Sequence, residues 1–198
     1  MKTVGKYILV IPEGWCEYNY AQALRASLAK DKQRSINVEM PKPNSENSPV
    51  QLLEKALVLL KKSKREKNPY DDIWIFLDND GHPNLSEFFQ KWRKTTIKIS
   101  YSSLCIEHWF MIHMDDNRRS YQNANQVYQA LNSLWQKRFN QPYDKRRIKH
   151  FNILRDFLPL AIERANSIRQ QAEFDKIPLE KSNPAFTVQD FISYFQNL

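Results

Sequence analysis

Four short apolar runs, separated by helical periodicities, constrain this chain more than any other feature. Residues 7–11, 36–40, 72–77 and 96–101 each read as a strand, because they are rich in β-branched and aromatic residues and most stop at Pro, Gly or charged residues. Between them, residues 17–29 carry Tyr20, Leu24 and Leu28 on one helical face. Residues 49–62 set Leu52, Leu53, Ala56, Leu57 and Leu60 on another, behind a first-turn Pro49. Residues 84–93 follow the Asp80-Gly81-His82-Pro83 turn as a short helix. Ser102-Ser103 offers an N-cap for a helix through residues 105–113. Strands alternating with helices require a parallel sheet with right-handed crossovers. The first strand shows no polar alternation and reads as buried on both faces. Beyond residue 117 the pattern turns helical: residues 121–139 and 144–171 flank Pro142, residues 172–184 form a polar connection, and a last helix opens at Thr187-Val188-Gln189-Asp190 with Phe191, Ile192 and Phe195 as its stripe. The expected fold is α/β and Rossmann-like. It has a mostly parallel sheet flanked by helices over residues 1–116, and a helical extension over residues 117–198 packed on it as one structural unit.

Size and charge bound the function. At 198 residues, with 41% hydrophobic and 13% aromatic residues, the chain can bury a substantial core and is not a disordered polymer. Its net charge is +8 and its pI about 9.4, a balance that suits polyanion partners such as nucleic acid and equally a merely soluble surface. Residues 61–67 form a basic run that reads as a solvated helix end and loop. Two cysteines, Cys16 and Cys105, are too few for a disulfide scaffold and fit a reduced, cytoplasmic setting. No apolar stretch reaches the roughly 20 residues of a membrane span. The apolar run after Lys2 and Lys6 is short and ends in Pro12-Glu13-Gly14, so it is not expected to act as a signal peptide.

Two of the strands end in acids. Glu13 and Glu17 follow the first, and Asp78 and Asp80 follow the third. In open α/β sheets ligands bind outside the carboxyl ends of the strands. Clustered carboxylates repel one another unless a cation lies between them. Glu13 with Asp78-Asn79-Asp80 therefore suits Mg²⁺ or Mn²⁺, which take hard oxygen ligands together with substrate phosphates. Such an ion stabilises charge on a phosphoryl group and activates water. Gly14 and Gly81 leave the backbone free to turn beside the acids. The plain alternative is that exposed turns are rich in Asp and Gly in any case.

The sequence resembles the RloB-like family, and three blocks carry the likeness. The first is Glu13-Gly14-Trp15-Cys16-Glu17-Tyr18-Asn19-Tyr20, similar to Glu-Gly-x-x-Glu-x-x-Tyr. The second is Phe76-Leu77-Asp78-Asn79-Asp80, a strand leading into Asp-x-Asp. The third and most distinctive is residues 99–113, similar to Ser-Asn-Pro-Cys-Phe-Glu-x-Trp with a closing His. Asn183-Pro184-Ala185-Phe186-Thr187-Val188 is a weaker echo. The blocks stand in family order and span nearly the whole chain. The resemblance implies a Toprim-type fold and a Mg²⁺-dependent nuclease associated with phage defence. In that reading Glu13, Asp78 and Asp80 hold metal, Glu17 and Glu107 bind a second metal or orient water, and an ATPase is a plausible partner protein. Ser103-Leu104 stands where the family has Asn-Pro, and Ile106 where it has an aromatic, so the loop before Glu107 departs from the pattern. The chain has no Gly-rich Lys-Ser/Thr loop and is not expected to hydrolyse ATP alone.

The remaining candidates are mixed. His113 occupies the family-like position and reads either as a proton donor or as a satisfied buried histidine. His108, five residues earlier, is expected to be exposed, and His82 and His150 have no evident context. Neither cysteine sits in a Cys-His-Asn setting, so both are expected to pack. Trp15 can stack on a base, or pack. Arg138, Lys145, Arg146, Arg147 and Lys149 cluster in the helical extension as a nucleic-acid-binding set or as a solvated face. The lead expectation is a metal-dependent nuclease. The rivals are a noncatalytic nucleic-acid-binding or ATPase-partner module, and nucleotidyl or phosphoryl transfer on a small nucleotide.

Overall fold

The computed structural model describes residues 5–44, 48–79, 81–147 and 149–198. It contains β1 (Lys6–Pro12), α1 (Trp15–Ser27), α2 (Lys30–Ser35), β2 (Ile36–Glu39), α3 (Pro49–Arg65), β3 (Asp72–Asp78), α4 (Leu85–Trp92) and β4 (Lys98–Ser102). The strands form one four-stranded sheet in the order β2-β1-β3-β4, and all of them are parallel, as the strand–helix alternation requires. Ile8 pairs with Val38 on one side of β1, and Val10 with Trp74 and Pro12 with Phe76 on the other. Successive strand residues point to opposite faces. Ile8, Leu9, Val10 and Ile11 are nonetheless all fully buried, so both faces of β1 are covered. β2 is an edge strand, and there burial alternates.

The helical part follows as α5 (Ile106–Met114), α6 (Ala124–Phe139), α7 (His150–Leu154), α8 (Leu158–Phe174) and α9 (Val188–Gln196). Several elements differ from expectation. α2 has the sequence Lys-Asp-Lys-Gln-Arg-Ser and no apolar stripe. It is held instead by its packing on β2 and by Gln33, whose amide donates to the Leu28 carbonyl at 2.7 Å and the Ala26 carbonyl at 3.1 Å at the end of α1. The helix expected over residues 144–171 begins only at His150 and passes through a 3-10 turn, Arg155–Phe157. Pro159 in the next turn lacks the N–H a continuous helix needs. Ahead of α7, the Asp144 carboxylate accepts from the Arg146 N–H at 3.0 Å, a local bond that competes with helix formation. Ser102 and Ser103 do not cap α5, whose N-cap is Cys105. The Ser102 hydroxyl donates to the Cys105 carbonyl at 2.8 Å, and Ser103 Oγ accepts from the Ala185 N–H at 3.0 Å. Residues 185–187 run along this stretch, with the Thr187 N–H on the Tyr101 carbonyl and the Ser103 N–H on the Ala185 carbonyl, each at 2.9 Å.

Two compact units make up the chain. One comprises Met1–Leu77, His82–Ser100 and Asp190–Leu198, the other Asp78–Gly81 and Tyr101–Gln189. In the first, Leu24, Leu52, Leu53, Phe88 and Phe89 are buried with the strand residues. Phe191 of α9 packs on Trp74 at 5.2 Å and on Phe76 at 5.4 Å between ring centroids. Asp72 anchors α9 by accepting from the Tyr194 hydroxyl at 2.5 Å and from Lys98 at 2.6 Å. In the second unit, α5 packs against α6 and α8. Every residue from Ile106 to His113 is buried, so α5 has no polar face.

Candidate functional site

In the first unit, the register of the sheet places Glu13. Pro12 lies opposite Phe76, and the Glu13 N–H donates to the Phe76 carbonyl at 2.8 Å. The backbone at the end of β1 is thus tied to the end of β3. The Glu13 side chain is only 15% exposed, and its Oε1 lies 2.6 Å from His82 Nε2. An ionised carboxylate only accepts hydrogen bonds, so the histidine donates. His82 had no evident sequence context. The available signal was its position, four residues after Asp78 in the loop that leaves an acidic strand end. Next to Glu13, Gly14 is the N-cap of α1 and Glu17 is its third residue. A Cβ on Gly14 would fall 2.8 Å from Glu17 Oε2, closer than a side-chain carbon tolerates. The Glu17 carboxylate thus folds back onto Gly14, and any larger residue there would have to displace it. Glu17 is buried and sits in the first turn of α1, where a negative charge suits the helix dipole. Trp15 is 55% exposed rather than packed, with Tyr18 edge-on at 5.4 Å.

The second unit gathers a different set. Asp78 is the last residue of β3. Burial first, then the charges of Glu107 and Asp78, push the Cys105 thiol far above its ordinary range. Cys105 is therefore a protonated packing residue, as expected, and not a nucleophile. The Glu107 side chain is 2% exposed and lies 3.6 Å from the Lys145 ammonium. It also accepts from the Tyr143 hydroxyl at 3.1 Å. Tyr143 carried no motif signal, because its link to Glu107 spans 36 residues. Gly81 has φ of 71°, the left-handed region that glycine alone enters without cost. Leu104 enters it too, at φ 65°.

One histidine expectation needs correction. His108 was expected at the surface but is fully buried, because α5 has no exposed face. Its ring stands edge-on to Tyr121 and Phe186, each at 5.3 Å, and burial pushes its pKa down to about 4. His113 is 1% exposed. Its Nδ1 donates to the Trp109 carbonyl at 2.9 Å, and burial pushes it down to about 4 as well. At neutral pH the ring is therefore uncharged, and its Nε2 is buried without a hydrogen-bond partner among the described residues. His150 packs on Tyr143 at 5.1 Å and contacts the Asp144 carbonyl at 3.0 Å.

Of the basic candidates, only Arg138 lies on a helix, α6, where its guanidinium sits 4.6 Å from the Phe157 ring centroid. Lys145, Arg146, Arg147 and Lys149 occupy the loop before α7 and are all exposed. Arg146 pairs with Asp144 at 3.2 Å, and Arg147 donates to Gln141 at 2.9 Å.

The proposed metal ligands are carboxylates, the hard donors Mg²⁺ and Mn²⁺ prefer, so their chemistry suits such an ion. Among the described residues, no group of three or more His, Cys, Asp or Glu side chains is arranged to hold a metal, and Asp80 lies outside those residues. Among the described residues, no helix is long and apolar enough to cross a membrane.

Fold and site together define an α/β protein whose parallel sheet ends in acidic residues. The chain belongs to the RloB-like family, whose model matches residues 8–194, nearly its whole length. No curated protein matches it. No solved structure does either.

Proposed function

We propose that this chain is a Toprim-type, divalent-metal-dependent nuclease that hydrolyses phosphodiesters of DNA or RNA in phage defence. The supporting observation is the parallel pairing of β1 with β3, with Glu13 directly after β1 and Asp78 the last residue of β3. Carboxyl ends of adjacent parallel strands are where α/β sheets bind ligands. Glu13, Asp78 and Asp80 would hold Mg²⁺ or Mn²⁺, and the bound ion would supply charge stabilisation for a phosphoryl group and an activated water. Glu107, with Tyr143 and Lys145 against it, and Glu17 would bind a second ion or orient water. The exposed cations of the loop before α7 supply sequence-independent affinity for the phosphate backbone. An ATPase subunit is the partner protein this reading anticipates.

The test is cleavage of single- and double-stranded DNA and RNA with Mg²⁺ or Mn²⁺, alone and with the ATPase partner. Asp78→Ala is expected to lower the metal-dependent rate at least about 100-fold. Metal-dependent cleavage untouched by Asp78→Ala would sink the assignment. Binding without cleavage under every condition would favour a noncatalytic nucleic-acid module.

A further inference from the structure

Glu13 is a long, flexible side chain at the mouth of the sheet, and such a side chain presents a metal only if something fixes its rotamer. Backbone pairing to Phe76 fixes its main chain but does not by itself set its side-chain torsions. His82 supplies a direct constraint on the carboxylate. Its Nε2 is 2.6 Å from Oε1, and both side chains are largely shielded, at 26% and 15% exposure. A carboxylate has two oxygens with about four lone-pair sites. Holding Oε1 from one side sets the direction in which Oε2 points. In metal centres, the groups that hydrogen-bond a ligating side chain orient it and tune the affinity of the site.

We infer that His82 is the positioning residue of the proposed metal centre: it donates from Nε2 to Oε1 of Glu13 and so fixes the carboxylate that meets the divalent cation. The inference rests on the nuclease reading of Glu13. It assigns His82 no proton transfer, only a hydrogen bond. A glutamine side chain places its Nε2 amide close to where a histidine Nε2 lies, so His82→Gln preserves the contact while removing the ring. His82→Leu keeps the bulk and removes the donor.

The experiment is calorimetric titration of Mn²⁺ and of Mg²⁺ into the wild-type chain, His82→Leu, His82→Gln and Glu13→Gln, each checked for folding by thermal melting. His82→Ala stands in if His82→Leu does not fold. The expected result is metal binding by wild type, its loss in Glu13→Gln, weakening of about tenfold or more in His82→Leu, and recovery to within about threefold in His82→Gln. Equal affinity of His82→Leu and wild type overturns the role of His82 while leaving the metal reading standing. Failure of His82→Gln to bind better than His82→Leu overturns it equally. Absence of binding in wild type, or binding untouched by Glu13→Gln, overturns the metal reading of Glu13 and the inference with it.

Discussion

Trp15 stands 55% exposed beside Glu13, a position that would be wasteful for a core residue. Its ring offers a sequence-tolerant surface on which an unpaired base stacks, worth about 1 kcal/mol or more per base. Trp15→Ala is therefore expected to weaken binding of single-stranded oligonucleotides about fivefold or more, while moving stability by less than about 0.5 kcal/mol. Fluorescence anisotropy against an unlabelled competitor measures the first, and a denaturant titration the second. Unchanged affinity would mean that the ring serves another purpose. At this scale, the positions of the acids were legible from sequence because strand ends announce themselves: an apolar run stops, and the next charged residue lies at the carboxyl end of the strand. Their partners were not legible. His82 meets Glu13 across 69 residues and Tyr143 meets Glu107 across 36. Pairings at such separations are products of the fold and leave no local pattern.

Among the elements, strands and long amphipathic helices were readable from periodicity, and the misreadings have physical causes. α2 is polar throughout and exists by docking. The stretch before α7 is a loop because Asp144 bonds its own neighbour, Arg146. α5 misled because a helix buried on every side has no hydrophobic stripe, so neighbour spacing could not show which way His108 faced. Its entry turn also departs from the family pattern. Leu104 has φ of 65°, whereas proline is locked near −65°. Installing the family's proline by Leu104→Pro is thus expected to destabilise the protein by about 2 kcal/mol or more, read as a lowered urea midpoint at unchanged slope. A neutral or stabilising outcome would show that this turn can adopt the ordinary conformation.

For the molecule as a whole, acid stability follows from buried bases. His108 and His113 have an ordinary value of 6.5 and are pushed by burial down to about 4. The unfolded chain takes up protons as pH falls below 6.5, but the folded chain does not until about 4. Stability is therefore fully present above pH 6.5 and falls between there and pH 4, where the histidines charge in both states. A second loss begins lower. Burial alone would raise the Asp72 carboxyl, but hydrogen bonds from Lys98 and Tyr194, with the charges of Lys98 and Lys6, hold it below its ordinary 3.8. Its contribution is lost only as pH drops beneath that value. Each buried histidine adds a slope of about 1.4 kcal/mol per pH unit within its window. His113→Asn, whose amide can still donate to the Trp109 carbonyl, should flatten the stability profile by about that amount between pH 6.5 and 4. Denaturant titrations across the range measure it, and an unchanged slope would place the proton uptake elsewhere.

The unbroken burial of α5 also sets how this stretch can drift. An ordinary amphipathic helix lets its outer face wander, so substitutions are tolerated about every third or fourth position. From Ile106 to His113 there is no outer face. Saturation mutagenesis of the chain should show a continuous band of intolerance there, open only to volume-conserving swaps, without the helical rhythm of tolerance expected along α3. A segment under that constraint keeps its spelling longest. It is therefore the natural place to recognise a distant relative once the rest of the sequence has diverged.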